Sequence, residues 1–428
     1  MTKNDDAWGK VIREKNILAF LYSPGYAYIS ADELNLIGGR EPRLLAKQDT
    51  LNDRPEIFKQ NEIAVFPVTN GEYILFRDQD KRSFFSFPEK ELEIPFEIYH
   101  SKVNYRKFDS FPGSQHLGES QAIDFAYISS LLRTVTSEQH LSLVIRGRLY
   151  SGEFDFTIPS INHNVKVSGV QIEVDAGYES DKCIYLIEAK IGKRDNFHIR
   201  QLFYPYLEWS HKSKKKIVPI FLIYSNAKYY IYEFKCSDKY GDLVISRSHC
   251  YKIDENPIPF INYKNLINTI ELENEPDIPY PQANDLDKVI DLVNFIYDGR
   301  KTKTDIAEKF DFDDRQGDYY ANAARYLGLL EKDHQDFLLT NLGKEFVEIN
   351  SSAERTLYIF KQIIKRPSFR RIIQLLVERN LSLDLISNDE IALIIEEETE
   401  LTSSTPPRRA STVMNWLRWI LVNGRIIT

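Results

Sequence analysis

Apolar and polar positions alternate through residues 171–178 and 183–191, and the polar Ser180, Asp181 and Lys182 between them predict a β-hairpin. A two-residue turn at Asp181-Lys182 pairs Ser180 with Cys183 and, in the same register, sets Asp175 directly opposite Glu188. Cross-strand partners lie about 5 Å apart at Cβ. Because side chains repeat every second residue, Lys190 shares the face of Glu188 and lies opposite Glu173, while Ile187, Ala189 and Ile191 point the other way. One face is expected to carry charge and the other to be core. The run NFHIRQLFYPYLEW at 196–209 has helical spacing, and IVPIFLIY at 217–224 predicts a buried strand. Upstream, GESQAIDFAYISSLL at 118–132 predicts an amphipathic helix. Residues 141–158 predict a strand pair turning near Ser151-Gly152.

The flanks follow other patterns. Residues 1–110 contain a helix in AWGKVIREKNILAFL, then a short helix between loops and a hairpin turning at Asn70-Gly71. The Pro- and acid-rich ELENEPDIPYPQAND at 271–285 marks a boundary. Beyond it come two helices, a third over DDRQGDYYANAARYLGLLEK that ends near Gly328, and a strand followed by a helix in DFLLTNLGKEFVEI. This order resembles winged helix-turn-helix domains, in which the third helix enters the major groove. The resemblance makes Arg315, Gln316, Tyr319, Tyr320, Asn322 and Arg325 candidates for base or phosphate contact, against a reading of Tyr319, Tyr320 and Tyr326 as core aromatics. Residues 351–428 resemble a second winged-helix-like unit. There Arg408 and Arg409 follow Pro406-Pro407 at a helix start, where backbone N–H groups also favour phosphate, and Trp416 and Trp419 read as core. The expected division is 1–110, 111–270, a linker at 271–285, 286–350 and 351–428.

A chain of 428 residues with 43% apolar side chains has room for two to four domains with real cores. No run approaches the roughly 20 apolar residues of a membrane span, and MTKNDDAWGK lacks signal-peptide character, so a cytoplasmic location is expected. Cys183, Cys236 and Cys250 have neither metal-site spacing nor a disulfide pattern and read as buried thiols. A net charge of −8 argues against general coating of nucleic acid, so phosphate binding must rest on local patches. Lys193, Arg194, His198 and Arg200 form one such group. HKSKKK at 211–216 is another, equally well read as a solvated loop. Arg40, Arg43, Lys47, Gln48 and Asn52 form a polar set beside the N-terminal hairpin, read either as a DNA contact or as ordinary surface.

The candidate chemistry lies in the hairpin. Two facing carboxylates make an oxygen-rich seat for Mg²⁺, which is commonly held by one or two carboxylates plus phosphate oxygens and keeps several waters. Hydrolysis of a phosphodiester fits that seat, with a neighbouring ammonium to orient the nucleophile and stabilise the transition state. The competing reading is a solvated strand face with an ordinary cross-strand ion pair. Asp175, then Glu188-Ala189-Lys190 on the next strand, then a helix, resembles the PD-(D/E)xK nuclease superfamily over about residues 115–235, with Val174 where a Pro usually precedes the Asp.

That resemblance implies an α/β (α+β) restriction-endonuclease-like core with a central mixed β-sheet flanked by helices. It also implies that Asp175 and Glu188 bind Mg²⁺, with the Ala189 carbonyl as a possible further ligand, and that Lys190 positions the attacking water. Gln201 and either Tyr204 or Tyr206 resemble the helix residues that steady such sites. Glu119 resembles the extra acidic ligand of many members, although a carboxylate at a helix start is also ordinary. Glu153 and Asp155 are rival carboxylates. Together with its flanking modules the chain resembles a type II restriction endonuclease. The implied activity is Mg²⁺-dependent cleavage of double-stranded DNA at a short sequence by a homodimer, with a cognate DNA methyltransferase as a genetic partner. The alternatives are a repair, junction-resolving or modification-dependent nuclease of the same superfamily, or a DNA-binding regulator whose nuclease-like domain is inactive.

Overall fold

In the computed structural model the hairpin lies inside a seven-stranded mixed sheet. Its strands are β1 (Glu97–Tyr99), β2 (Ser142–Tyr150), β3 (Gln171–Glu179), β4 (Cys183–Ile191), β5 (Lys216–Ser225), β6 (Lys228–Cys236) and β7 (Leu243–Ile253), in the spatial order β1-β7-β6-β5-β4-β3-β2. The structure describes residues 3–104, 107–111, 113, 116–253, 258–310, 312 and 314–427. Strands β4 and β5 pair in parallel from Cys183↔Lys216 to Ile191↔Tyr224. A parallel pair needs a crossover, here supplied by helix α3 (Arg200–Lys212) on one face. Helices α1 (Glu119–Ile128) and α2 (Leu131–Thr136) cover the other face.

Helices on both faces explain why the expectation of one charged and one apolar face fails. Tyr185, Ile187 and Ala189 pack with Ile123, Ala126 and Leu132 below the sheet. Ile184 and Leu186 pack above it with Val174, Ile145 and the α3 residues Tyr206 and Trp209. A strand covered on both sides is apolar on both sides, so charge enters β4 only near its end, at Glu188 and Lys190. The turn register is as expected, with Ser180 N–H donating to Cys183 O at 2.9 Å. The β3–β4 ladder runs from Ile184↔Glu179 to Ile187↔Ala176 and stops there. Glu173 pairs instead with Arg148 on β2, so Lys190 does not face it across the ladder.

Three further expectations are corrected. Residues 141–158 do not fold back on themselves: β2 pairs with β3, whereas Glu153–Ile158 pairs with His163–Ser168 in a separate two-stranded sheet. Residues Asn196–His198 form a strand against Phe84–Ser86 before the helix begins at Arg200. The predicted helix at 118–132 is broken near Ser130, whose φ of 67° is left-handed.

Packing divides the flanks differently from composition. An N-terminal unit closes over Trp8, Phe58 and Leu75, with its hairpin turning at Asn70-Gly71 between Ile63–Thr69 and Glu72–Arg77. Phe84–Ser86 and β1 already pair within the central unit, which therefore recruits residues expected to lie in the N-terminal one. Beyond 285 the order is helix α4 (Leu286–Ile296), strand Lys301–Thr302, helices α5 (Lys303–Phe310) and α6 (Asp314–Tyr326), strands Leu330–Asp333 and Asp336–Leu339, and helix Asn341–Glu348. The three short strands form one sheet. Helices α7 (Ser352–Ile364), Pro367–Glu378, Asn388–Glu398 and α8 (Thr405–Asn423) follow. Ile290, Leu327 and Phe346 share a core with Ile363, Phe369 and Trp416, so the two expected C-terminal units form one body.

Residues 271–285 have no regular structure, yet they are strapped to that body. Glu273 pairs with Lys365 and Arg366, Tyr280 Oη meets Ser368 Oγ at 3.0 Å, and Trp416 Nε1 donates to Ala283 O at 2.8 Å. Among the described residues no helix is long and apolar enough to cross a membrane. The three cysteines are free thiols, with Cys250 buried and Cys183 and Cys236 half-buried.

Candidate active site

The site forms where β3 and β4 part. Past Ala176 the strands no longer exchange backbone hydrogen bonds, and Ala189 N–H donates instead to Asp175 Oδ2 at 2.8 Å. One residue earlier on β4, Glu188 is 8% exposed. Its Oε1 lies 2.5 Å from Lys190 Nζ. With side chains only 10% and 19% exposed, Glu188 and Lys190 are not the solvated ion pair of the competing reading. Burying two charges costs several kcal/mol per ion before pairing repays it, so this is an expensive feature to place at the end of a strand.

Electrostatics tie a third carboxylate to the pair. Burial pushes Asp175 up, against the Ala189 N–H and Lys190, and Glu119 at the start of α1 adds to the push. Burial likewise raises Glu188 to about 7, with Lys190 opposing and Asp175 and Glu119 reinforcing. Burial disfavours the Lys190 ammonium, but Glu188 and Glu119 outweigh it and hold the group protonated. Crowded, partly desolvated carboxylates of this kind are stabilised by added positive charge.

The donors suit a hard cation. Asp175 and Glu188 offer only oxygen, which matches Mg²⁺ with several retained waters. Among the described residues no three Asp, Glu, His or Cys side chains are gathered closely enough to hold a metal, so Glu119 stands near the seat without completing it. Gln201, in the first turn of α3, has a buried Oε1 with no hydrogen-bond partner among the described residues. Arg146 on β2 has a role its sequence context does not reveal. It donates to Asp175 O at 3.2 Å and pairs with Asp124 of α1 at 2.6 Å, fixing the backbone of Asp175 relative to the helix that carries Glu119.

Other expected residues lie elsewhere. Tyr204 is buried in the core and donates to Pro67 O at 2.8 Å, and the half-buried Tyr206 packs beside the Ile184–Leu186 cluster. Both are packing residues, because α3 presents these rings to apolar neighbours. Glu153 and Asp155 are exposed on the separate two-stranded sheet, where Asn164 Nδ2 donates to Asp155 at 2.8 Å.

The expected phosphate contacts next to the hairpin are largely turned inward. Lys193 pairs with Asp285 at 3.0 Å and Asp287 at 3.4 Å. Arg194 donates to the carbonyls of Gly192, Lys193 and Lys309. His198 is buried between Phe66 and Phe84 and held neutral by desolvation, well below the usual imidazole range. Arg200 is half-buried at the start of α3. In 211–216, Lys215 pairs with Glu179 at 2.6 Å and Lys212 pairs with Glu208. In the N-terminal group Gln48 is buried, Arg43 pairs with Glu41, Lys47 pairs with Asp49, and the Asn52 carbonyl accepts from Lys59.

The C-terminal candidates divide. Arg315 and Gln316 are exposed on α6, and Arg315 Nε donates to Tyr319 Oη at 2.5 Å. Tyr320 stacks on Phe312 with ring centroids 4.5 Å apart and is packing rather than surface, since its position on α6 faces the 285–312 segment. Asn322 accepts from Arg325 at 2.8 Å, and both are half-buried. Arg408 is exposed at the start of α8, and Arg409 lies close enough to Tyr319 for the two side chains to interact. Arg315 of α6 and Arg409 of α8 thus both interact with Tyr319.

A buried ionic network joins the C-terminal body to the sheet. Asp287 receives Lys228 Nζ at 2.8 Å, Asn226 Nδ2 at 2.7 Å and Trp419 Nε1 at 2.7 Å. Asp291 accepts from Ser225 Oγ and from Asn226 N–H, and burial raises its carboxyl to about 7. Through this docking Lys309, the penultimate residue of α5, comes under the influence of the charges at the β3–β4 fork. Desolvation lowers its pKa, Arg194 and Lys190 lower it further, and Glu119 opposes them.

Three family models match the chain, each described as a domain of unknown function: DUF6996 over residues 5–75, DUF6997 over residues 79–252 and DUF7226 over residues 288–424. No match emerged among curated proteins, and none among solved structures.

Proposed function

We propose that the chain is a Mg²⁺-dependent DNA endonuclease of the PD-(D/E)xK kind, acting as a type II restriction endonuclease. The observation that carries this reading is the meeting of Asp175, Glu188 and Lys190 at the point where β3 and β4 separate, with Asp175 accepting from Ala189 N–H and Lys190 buried against Glu188. A mixed sheet with a parallel β4–β5 pair and helices on both faces supports it.

In this reading Asp175 and Glu188 hold the metal, with the Ala189 carbonyl beside them. A bound Mg²⁺ would acidify a water and neutralise charge developing on the phosphate. Lys190, relieved of Glu188, orients the attacking water and stabilises the same charge from the protein side. The unpartnered Gln201 Oε1 is available to accept from that water or from Lys190. Arg146 keeps Asp175 in place.

The C-terminal body supports DNA binding through its helix–strand–helix–helix–strand–strand order, which resembles a winged helix. Arg315, Arg408 and Arg409 are then its phosphate contacts, with Gln316 beside them. Cutting both strands of a symmetric site would call for a pair of chains. The test is digestion of unmethylated double-stranded DNA in Mg²⁺, with Lys190→Ala and Asp175→Ala as controls. Discrete fragments from the wild type alone support a site-specific nuclease, and uncut DNA in all samples removes it.

A further inference from the structure

Between the sheet and the C-terminal body lies a cavity of about 360 Å³, lined by Glu119, Ile191 and Tyr224 on the sheet side and by Phe295, Lys309 and Ser352 on the other. Glu119 belongs both to this cavity and to the charge cluster around Lys190. Small-ligand sites are clefts of about 300–1,000 Å³ with apolar or aromatic walls and a few placed polar groups.

The polar groups here are built in. Ser352 is 5% exposed, and its Oγ has no hydrogen-bond partner among the described residues. A buried, unsatisfied hydroxyl costs about 1–3 kcal/mol, which a ligand atom would relieve. Asp291 and Arg355 also line the cavity and are more than nine-tenths buried, with Arg355 donating to Asn294 Oδ1 at 2.8 Å. Lys309 makes no ion pair among the described residues, and its nitrogen lies 5.8 Å from the Phe295 ring centre. Its helix end is nonetheless fixed. Arg194 donates to Lys309 O at 2.8 Å, and Phe310 packs so tightly on Gly192 that a Cβ there would lie 3.1 Å from the ring.

We propose that this cavity is a nucleotide subsite, holding one nucleotide next to the scissile phosphate, with Lys309 as its phosphate contact; the proposal rests on the nuclease reading. The aromatic walls fit the face of a base, and the amide, hydroxyl and carboxyl groups fit its polar edge, the combination by which extruded or single-stranded bases are held. Lys309 supplies the compact charge that a phosphate needs. The C-terminal body thereby contributes to the site itself as well as carrying a separate DNA-binding surface.

The test titrates the full chain with deoxynucleoside 5′-monophosphates by calorimetry, and measures cleavage kinetics on DNA in parallel. Lys309→Ala should weaken mononucleotide binding about tenfold, the value of one charge-assisted contact, and raise KM for DNA with little change in kcat. Lys309→Arg should restore both. Glu153→Ala, exposed on the separate two-stranded sheet, should bind mononucleotide as the wild type does. Binding that ignores Lys309, or no binding at about 10 mM mononucleotide, well above the millimolar dissociation constants of weak ligands, overturns the proposal. Mononucleotide binding that depends on Lys309 in a protein that cuts no DNA supports the subsite and removes the nuclease reading alone.

Discussion

Lys190 and Glu188 occupy adjacent inward positions on one strand, and nothing in the apolar core needs either charge. Replacing Lys190 with Ala should lower Mg²⁺-dependent cleavage by about 10²–10³-fold, the usual cost of removing one group that stabilises developing charge. Thermal melting should show the variant still folded, because β4 remains clamped between β3 and β5. Asp175, Glu188 and Lys190 were legible in the sequence because a period of two places Glu188 and Lys190 on one face of β4 and a short turn fixes the register that brings Asp175 of β3 beside them. Arg146 was not legible. Its partners Asp124 and Asp175 lie 22 and 29 positions away, and only the tertiary fold brings the three together. Lys193 and His198 were misread for a related reason. A basic residue in a surface-like sequence can be turned inward by carboxylates or rings from a distant segment.

At the scale of elements, the widening of β3 from β4 is prepared on the opposite edge of β3. The β2–β3 register shifts between Leu143 and Ile145 and again between Ile145 and Gly147, and Gly177 lies at that irregularity. A Cβ at Gly177 would lie 2.6 Å from Ile145 Cβ. Gly177→Ala should therefore destabilise by about 1–3 kcal/mol, the usual cost of overpacking, as read from urea unfolding, and should weaken cleavage by displacing Asp175. Strand identity was legible from alternation and from the continuous apolar run of β5. The pairing of β2 was not, because alternation says nothing about which neighbour a strand chooses.

A second prediction concerns the join between α4 and the β5–β6 turn. Asp291 titrates near 7 in the folded protein and near 4 when unfolded. The folded state therefore binds the extra proton between those values, and the stability this contributes is lost as pH rises through that window. Asp291→Asn should flatten this dependence. In thermal melts the wild type should lose more stability between about pH 5 and pH 8 than the variant does, the interval spanning most of that window. Equal losses would show that Asp291 does not titrate as its surroundings imply.

For the whole molecule, the arrangement of three units matters more than any one of them. The Pro- and acid-rich stretch announced a boundary, but its charges do not keep it in solvent. Glu273 and Glu275 are spent on Lys365, Arg366, Tyr326 and Ser368, which composition could not reveal. The docking of the C-terminal body on the sheet depends on Asp287, which is 2% exposed. Asp287→Ala strands Lys228 in the interior and should cost about 3–5 kcal/mol. Denaturant unfolding would measure the loss, and faster cleavage by a glutamate-specific protease at Glu271 and Glu273 would locate it. On the outer surface, Arg408→Ala should weaken DNA binding evenly across sequences and reduce the salt slope by about one. A sequence-dependent loss would instead make Arg408 a base reader.

The account stands or falls on catalysis at the β3–β4 fork. Purified full-length protein should be incubated with unmethylated phage DNA in Mg²⁺, in EDTA, and as the Asp175→Ala and Lys190→Ala variants. Discrete fragments from the wild type in Mg²⁺, absent with EDTA and from both variants, are the predicted result. Cleavage that survives in either variant, or a wild type that binds DNA but leaves it intact in Mg²⁺, would contradict it.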